Sequence, residues 1–171
     1  MLYRHQGRYA DALRLALELT AQHEMAQRPH EAASAWDLAA TVALEMGDLT
    51  AARRYAEHAL AQRARQDDAY RLHYSRTIYY GVRGMTAPDA EAINGLHACL
   101  RFWESQDLPP WRANTLYYLA AALAIASETA RAHDALDAAI HLNEAMGRQI
   151  ALERCRALKA QLPISPPKTP N

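Results

Sequence analysis

Small residues recur at a fixed spacing along this chain, and that spacing limits the folds open to it. Four alanines are spaced at a constant interval of about 40 residues, a spacing typical of internal repeats. The positions four, seven and eight after each of them are mostly small or apolar, and these offsets trace one face of an α-helix. We therefore predict four helices with one buried face in common, here called the alanine stripe. Its first positions are Ala12, Ala52, Ala92 and Ala132.

A second set of helices is predicted between these four. Trp36, Ala39 and Ala43 form an apolar face that Leu116, Leu119 and Leu123 repeat at twice the interval of the stripe. Glycine and proline mark the turns. We predict that Gly81 and Gly84 end one helix early and that Thr86 with Asp89 caps the next, near Ala87. The predicted helices are 8–26, 30–46, 49–65, 68–82, 87–105, 110–126, 128–146 and 148–162.

Composition narrows the class of protein. Half of the residues are hydrophobic, and 19 Lys and Arg balance 19 Asp and Glu. This neutral balance argues against a nucleic-acid or membrane-surface partner. Two distant cysteines, the lack of a signal-peptide pattern and the lack of a long apolar run predict a soluble, cytoplasmic protein.

The pattern resembles the tetratricopeptide repeat (TPR) family. A bulky residue, a small residue, a turn glycine and alanines of the second helix occur in the family's order at Trp36, Ala40, Gly47, Ala52 and Ala59. A further copy has Leu116, Ala120, Ala132 and Ala139, with Ser127 in place of the turn glycine. The resemblance implies an all-α fold: a right-handed superhelix of about eight helices, stacked as antiparallel pairs.

The repeat length departs from the family's usual length of about 34 residues. The longer repeat of this chain resembles the arrays of bacterial regulators of the MalT and LuxR-like type, and HEAT-like pairing is a structural alternative. The implied domain is 1–162: a half repeat over 1–26, repeats over 30–65, 68–105 and 110–146, and a capping helix over 148–162. A proline-rich tail, 163–171, is expected to be disordered.

The first repeat lacks its first helix, which would leave an apolar face uncovered. We expect either an upstream domain or a second copy of the chain to cover that face. The expected partner of this face is therefore either another part of a longer protein or, in a homo-oligomer, a second copy of the chain.

The family's binding groove is lined by the first helix of each pair. By matching residues, the resemblance implies a concave face that binds a protein or peptide segment. Tyrosine and arginine, which are enriched at binding hot spots, alternate along 70–83 and add to this face. The alternative is that several of these tyrosines pack between helices. The predicted partner-binding residues are Asp37, Leu38, Thr41, Glu45, Arg71, Tyr74, Tyr117, Tyr118 and Ala121.

Candidate chemistry is sparse. His133, Asp137 and His141 are spaced by four positions on one helix face and could share a metal ion. They lie beside the alanine stripe on a face expected to be solvated, so we favour a plain polar surface. No nucleophile motif or phosphate-binding loop is present, and Cys99 and Cys155 fall on apolar faces. We predict no catalytic residue, no metal and no cofactor.

Three functions follow from these patterns. The leading hypothesis is a non-catalytic scaffold that binds a peptide or protein, as one part of a bacterial regulatory protein. The second is a ligand-sensing domain that gates an attached output domain. The third, a metal-dependent activity at His133, Asp137 and His141, is the least favoured.

Overall fold

The computed structural model describes residues 7–163, and all of its regular structure is helical. The all-α prediction is confirmed: each predicted helix overlaps one observed helix. The helices are α1 (Tyr9–Met25), α2 (Pro29–Glu45), α3 (Leu49–Arg63), α4 (Ala69–Thr86), α5 (Ala90–Ser105), α6 (Pro109–Ile125), α7 (Thr129–Ala145) and α8 (Gln149–Gln161).

The helices begin at nearly even intervals, and the turns between them explain why. Residues in the left-handed region lie at positions 7, 27, 47, 107, 127 and 147. At the last five of these positions, the N–H of the following residue donates to the carbonyl five residues before it. The N–H of Asp48, for example, donates to the carbonyl of Ala43 at 3.0 Å. This is the Schellman arrangement, which ends a helix and satisfies its last carbonyls. A proline, Pro29 or Pro109, then begins α2 or α6.

The chain divides between Thr86 and Ala87 into two compact units. In the first unit, α1 to α4 pack in sequence order, and α2 also contacts α4. Its core is built largely from alanines, with Tyr55, Ile78 and Val82 as the larger members. Alanine at a contact lets two helix axes approach closely, so helix pairing here depends on small side chains.

The second unit has the same order of packing. Helices α5 to α8 pack in sequence, and α6 also contacts α8. Its core includes Leu116, Leu136, Ala139 and Cys155. Trp103 at the end of α5 is fully buried, with its ring centroid 5.9 Å from that of Trp111. Within each unit, therefore, both sequential helices and alternate helices touch.

The buried face predicted from the fixed spacing of the alanines is confirmed. Ala52, Ala92 and Ala132 are inaccessible to solvent, and Ala12 is 8 % exposed. The positions one helical turn further on are buried as well, in all four helices. The packing of adjacent helices in sequence order makes this a helical-repeat architecture.

The predictions for residues 76–90 need correction. Helix α4 continues through Gly81 and Gly84, both buried, and ends at Thr86. Thr86 does not cap the next helix, because its hydroxyl donates back to the carbonyl of Val82 at 3.1 Å. Asp89 is the cap and accepts from the N–H of Ala92 at 2.8 Å. Packing around the two buried glycines outweighs their low helix propensity.

The unit boundary falls within the predicted repeat 68–105, whose two helices belong to different units. The half repeat 1–26 is described only from residue 7, and the tail prediction for 163–171 lies almost wholly outside the described residues. The prediction that the first repeat lacks its first helix also concerns residues outside that range. Over residues 7–163, none of the helices combines the length and the apolar character needed to cross a membrane.

Candidate binding surfaces

The nine predicted binding residues are divided between the two units. Six lie on α2 and α4 of the first unit, two helices that contact each other. The other three lie on α6 of the second unit. The structure therefore brings together the first group on one pair of helices: Asp37, Leu38, Thr41, Glu45, Arg71 and Tyr74.

Asp37 lies in the interior, and its assignment to a binding face is wrong. The side chain is 1 % exposed, and Oδ2 accepts a hydrogen bond from the hydroxyl of Ser75 on α4 at 2.7 Å. Among the described atoms, Oδ1 has no hydrogen-bond partner. Burial raises the pKa of Asp37 from its ordinary 3.8 to about 7, although the Ser75 bond and the positive charge of Arg63 both act to lower it.

Arg63, the last residue of α3, is the second buried charge of this unit. Its guanidinium donates to the hydroxyl of Ser34 at 2.6 Å and to the side-chain oxygen of Gln66 at 2.9 Å. Burial lowers the pKa of Arg63, and the neighbouring Asp37 carboxylate acts in the opposite direction. These contacts tie the end of α3 to the start of α2, so Arg63 has a structural role.

The other residues on α2 are half-buried. The hydroxyl of Thr41 donates a hydrogen bond to the carbonyl of Asp37 at 2.8 Å, so its donor is already used within the helix. Leu38 packs against the core of the unit, and Glu45 lies at the end of the helix. Each keeps part of its surface open to solvent.

On α4, the two predicted residues differ in exposure. Tyr74 packs partly against the core. Arg71 is exposed, with Nε 3.3 Å from Oδ2 of Asp68. Asp68 also accepts from the backbone N–H of Arg71 at 2.9 Å and thereby caps α4. The guanidinium of Arg71 is therefore held near the start of the helix.

In the second unit, only Tyr117 of the predicted residues keeps part of its ring open to solvent. Tyr118 and Ala121 are buried, so their prediction as surface contacts is also wrong. The ring of Tyr117 lies edge-on to that of Tyr118, and the guanidinium of Arg154 on α8 lies 4.8 Å from the Tyr117 ring centroid. A cation over a tyrosine face is attracted by the ring quadrupole. Sequence reasoning missed Arg154.

The two units place different chemistry at equivalent positions, which are separated by two repeat lengths. Asp37, Arg63 and Ser75 of the first unit correspond to Tyr117, Asn143 and Cys155 of the second. In the second unit, the amide of Asn143 donates to the carbonyl of Ala139 at 2.9 Å and lies 3.7 Å from Sγ of Cys155. Two of these positions thus hold ionisable side chains in the first unit, Asp37 and Arg63, and a phenol and an amide in the second.

Two of the three candidate metal residues have other partners. The Nε2 atom of His133 lies 2.9 Å from the carbonyl of Pro163, and Asp137 forms an ion pair with Lys159. No group of three potential metal ligands occurs within residues 7–163. Both cysteines are buried, and burial raises the pKa of the Cys155 thiol. Burial and a raised pKa disfavour the thiolate that a nucleophile or a metal ligand requires.

A cleft of about 510 Å³ in the first unit was missed by sequence reasoning. It lies where the α1–α2 turn meets the end of α3. A bonded network forms one side: Oε1 of Glu24 accepts from Nε1 of Trp36 at 3.0 Å and from Nε2 of Gln62 at 3.2 Å. The lining residues are Glu24, Gln27, Arg28, Pro29, Ala32, Gln62, Arg65 and Gln66.

Comparison of the chain with protein-family models, with curated proteins and with solved structures found no match.

Proposed function

We propose that this chain is a non-catalytic binding scaffold of the tetratricopeptide type, which binds a protein or peptide segment through the first helix of each pair. The contact between alternate helices within each unit carries the proposal. Such contacts place side chains of α2 beside those of α4, and side chains of α6 beside those of α8. A peptide can then touch two helices at once.

The partly exposed side chains of these helices suit such a role. In the first unit they include Leu38, Thr41, Glu45, Arg71 and Tyr74. In the second unit, Tyr117 and Arg154 offer an aromatic face with a cation above it. Tyrosine and arginine supply large contact areas with a polar end, which is why they dominate binding hot spots. We further propose that this scaffold is one part of a bacterial regulatory protein.

Selection of binding peptides from a random peptide library tests this proposal. Arg71→Ala should weaken a selected peptide at least about fivefold if α4 contributes to the contact. Arg53→Ala is the matched control. Arg53 is equally exposed and forms an ion pair with Glu57, but it lies on α3, the second helix of its pair, which is not proposed to contact the peptide. Equal effects of the two substitutions, or amide shifts confined to α3 and α7 on peptide addition, would contradict the proposal.

A ligand-sensing domain is the second candidate function, and the cleft beside Glu24 favours it. Its volume lies within the range of small-molecule sites, about 300–1,000 Å³. In this role, the bound ligand would alter how the chain contacts an output domain. The chemistry of the cleft limits which ligand it can take.

A further inference from the structure

The donor groups of the cleft come from two arginines. Arg28 precedes Pro29 in the turn before α2, and Arg65 follows the end of α3. Both side chains are exposed, and neither takes part in an ion pair among the described residues. A guanidinium that is not already paired can bind a carboxylate through two parallel hydrogen bonds. These two residues therefore offer a place for an anionic group.

The acceptor groups of the cleft come from Glu24 and Gln62. Among the described residues, the carboxylate of Glu24 is bonded through Oε1 to uncharged donors, Trp36 and Gln62. The side-chain oxygen of Gln62 is buried and has no hydrogen-bond partner among the described atoms. A buried acceptor without a donor costs free energy, so a rotation of the Gln62 side chain that brings this oxygen to a ligand N–H would be favoured. The same cleft thus offers a place for a cationic group.

The second unit shows what can fill this space. The residue equivalent to Ala32 is Arg112, and the residue equivalent to Glu24 is Glu104. The guanidinium of Arg112 lies 3.5 Å from the carboxylate of Glu104, and the Arg112 side chain is only 31 % exposed. In the second unit, a cation supplied by the chain itself is therefore paired with this glutamate. In the first unit Ala32 stands at this place, and among residues 7–163 no cation pairs with Glu24.

The anion-binding groups differ between the units in the same way. The positions of Arg28 and Arg65 are taken by Leu108 and Ala145 in the second unit. Within the described part of the chain, the first unit thus combines an open cleft, a carboxylate that pairs with no cation and two guanidinium groups that form no ion pair. We infer that this cleft binds a free amino acid, with its ammonium at Glu24 and Gln62 and its carboxylate at Arg28 and Arg65. This inference rests on the ligand-sensing candidate and is independent of the peptide-binding proposal.

Nuclear magnetic resonance titration of the full chain with each standard L-amino acid tests the inference. At least one amino acid should shift the backbone amides of the α1–α2 turn and of the end of α3. The N-acetyl derivative lacks the ammonium and the amide derivative lacks the carboxylate, so each should bind at least about tenfold more weakly. No shift in these amides with any amino acid would overturn the inference, and so would derivatives that bind as tightly as the parent amino acid.

Three variants locate the site. Glu24→Gln should weaken the selected amino acid about tenfold or more, and so should a variant that combines Arg28→Ala and Arg65→Ala. Ala32→Arg should abolish binding, because it reproduces the arrangement of the second unit. Circular dichroism checks that each variant keeps its helices. Unchanged binding in the folded variants would overturn the inference.

Arg112→Ala is the matched control. It opens the equivalent space in the second unit but leaves Leu108 and Ala145 where the arginines would be needed. It should neither create a second site nor weaken the first. Amino-acid binding that is lost in this variant would place the site elsewhere and would contradict the inference. Peptide binding, measured separately, is expected to persist in every cleft variant.

Discussion

The hydroxyl of Ser75 donates a 2.7 Å hydrogen bond to Oδ2 of Asp37, across the contact between α4 and α2 in the first unit. The carboxyl group of Asp37 is almost wholly removed from water, and the structure shows this one hydrogen bond to it among the described residues. It favours the charged form, but burial acts more strongly in the other direction. The stability of the unit is therefore expected to depend on the protonation of one residue.

The first prediction concerns this pH dependence. The pKa of Asp37 rises from 3.8 to about 7 on folding, so the folded state holds a proton that the unfolded state has lost. The stability that Asp37 contributes is fully present below pH 3.8 and is lost as pH rises through about 7. A pKa difference of this size corresponds to about 4 kcal/mol of unfolding free energy. Urea unfolding between these pH values measures it.

Asp37→Asn should flatten this profile and make the protein more stable than wild type above pH 7, since an amide carries no charge into the interior. Ser75→Ala removes the bond that favours the carboxylate, raises the folded-state pKa of Asp37 further and should extend the fall in stability to higher pH. Asp67→Asn makes the same chemical change at an exposed position and should keep the wild-type slope. If wild type and Asp37→Asn gave parallel profiles, the account of Asp37 would be wrong.

The second prediction concerns the left-handed residues that end the helices. Gly47 has φ +79°, and a Cβ built there would meet no described atom within 4 Å. Gly47→Ala should therefore destabilise the fold through backbone conformation alone, by about 1–2 kcal/mol. Ser127 has φ 63°, so Ser127→Gly should stabilise the fold by up to about 1 kcal/mol. Thermal unfolding measures both.

Asn94→Gly is the control for these turn variants. Asn94 is an exposed residue inside α5, where glycine should cost several tenths of a kcal/mol. A gain in stability from glycine at Ser127 with a loss at Asn94 would match the turn geometry. A loss at both positions would show that the turn at Ser127 does not favour glycine.

The third prediction concerns the alanine stripe. Ala52 is inaccessible to solvent at the contact between helices of the first unit. Ala52→Leu forces additional methylene groups into a packed core and should cost about 1–3 kcal/mol. Ala61→Leu places the same side chain at an exposed position of the same helix and should change stability by less than about 0.5 kcal/mol. Equal costs at the two positions would mean that helix contact at the stripe is not close.

The fourth prediction concerns the thiols. Cys99 and Cys155 are each 1 % exposed, and burial raises the pKa of Cys155. Both should react slowly with iodoacetamide in the native protein and rapidly in urea, because the thiolate is the reactive form. Ser105→Cys introduces an exposed thiol as the reference for fast native labelling. Mass spectrometry of the labelled peptides gives the rates. Native labelling of Cys155 as fast as that of the introduced thiol would contradict the expected burial.

The positions of the helices could be predicted because the alanine stripe repeats at a fixed interval. Each stripe position occupies the same place in a helix of similar length, so one pattern locates four helices. The prediction fails at Gly81 and Gly84, where local propensity favours a helix end. Tertiary packing there outweighs the conformational cost of the two glycines.

The interior contacts of the first unit could not be predicted from any single segment of the sequence. Asp37 lies on α2 and finds its partner Ser75 on α4, so its burial depends on a contact that no local pattern specifies. Arg154 was missed for the same reason, since its contact with Tyr117 joins α6 and α8. The cleft could have been noticed by comparing copies two repeat lengths apart, because the exchange of Ala32 for Arg112 is visible in the sequence.

The spacing of the left-handed turns has a consequence for engineering the chain. The connections before and after α4, 64–68 and 87–89, contain no left-handed residue among those described. A chain opened or lengthened at these two connections keeps every Schellman turn intact. The connection 87–89 also contains none of the residues that line the cleft, so a label or cleavable linker inserted between Ala87 and Pro88 should keep the helices of both units and the cleft.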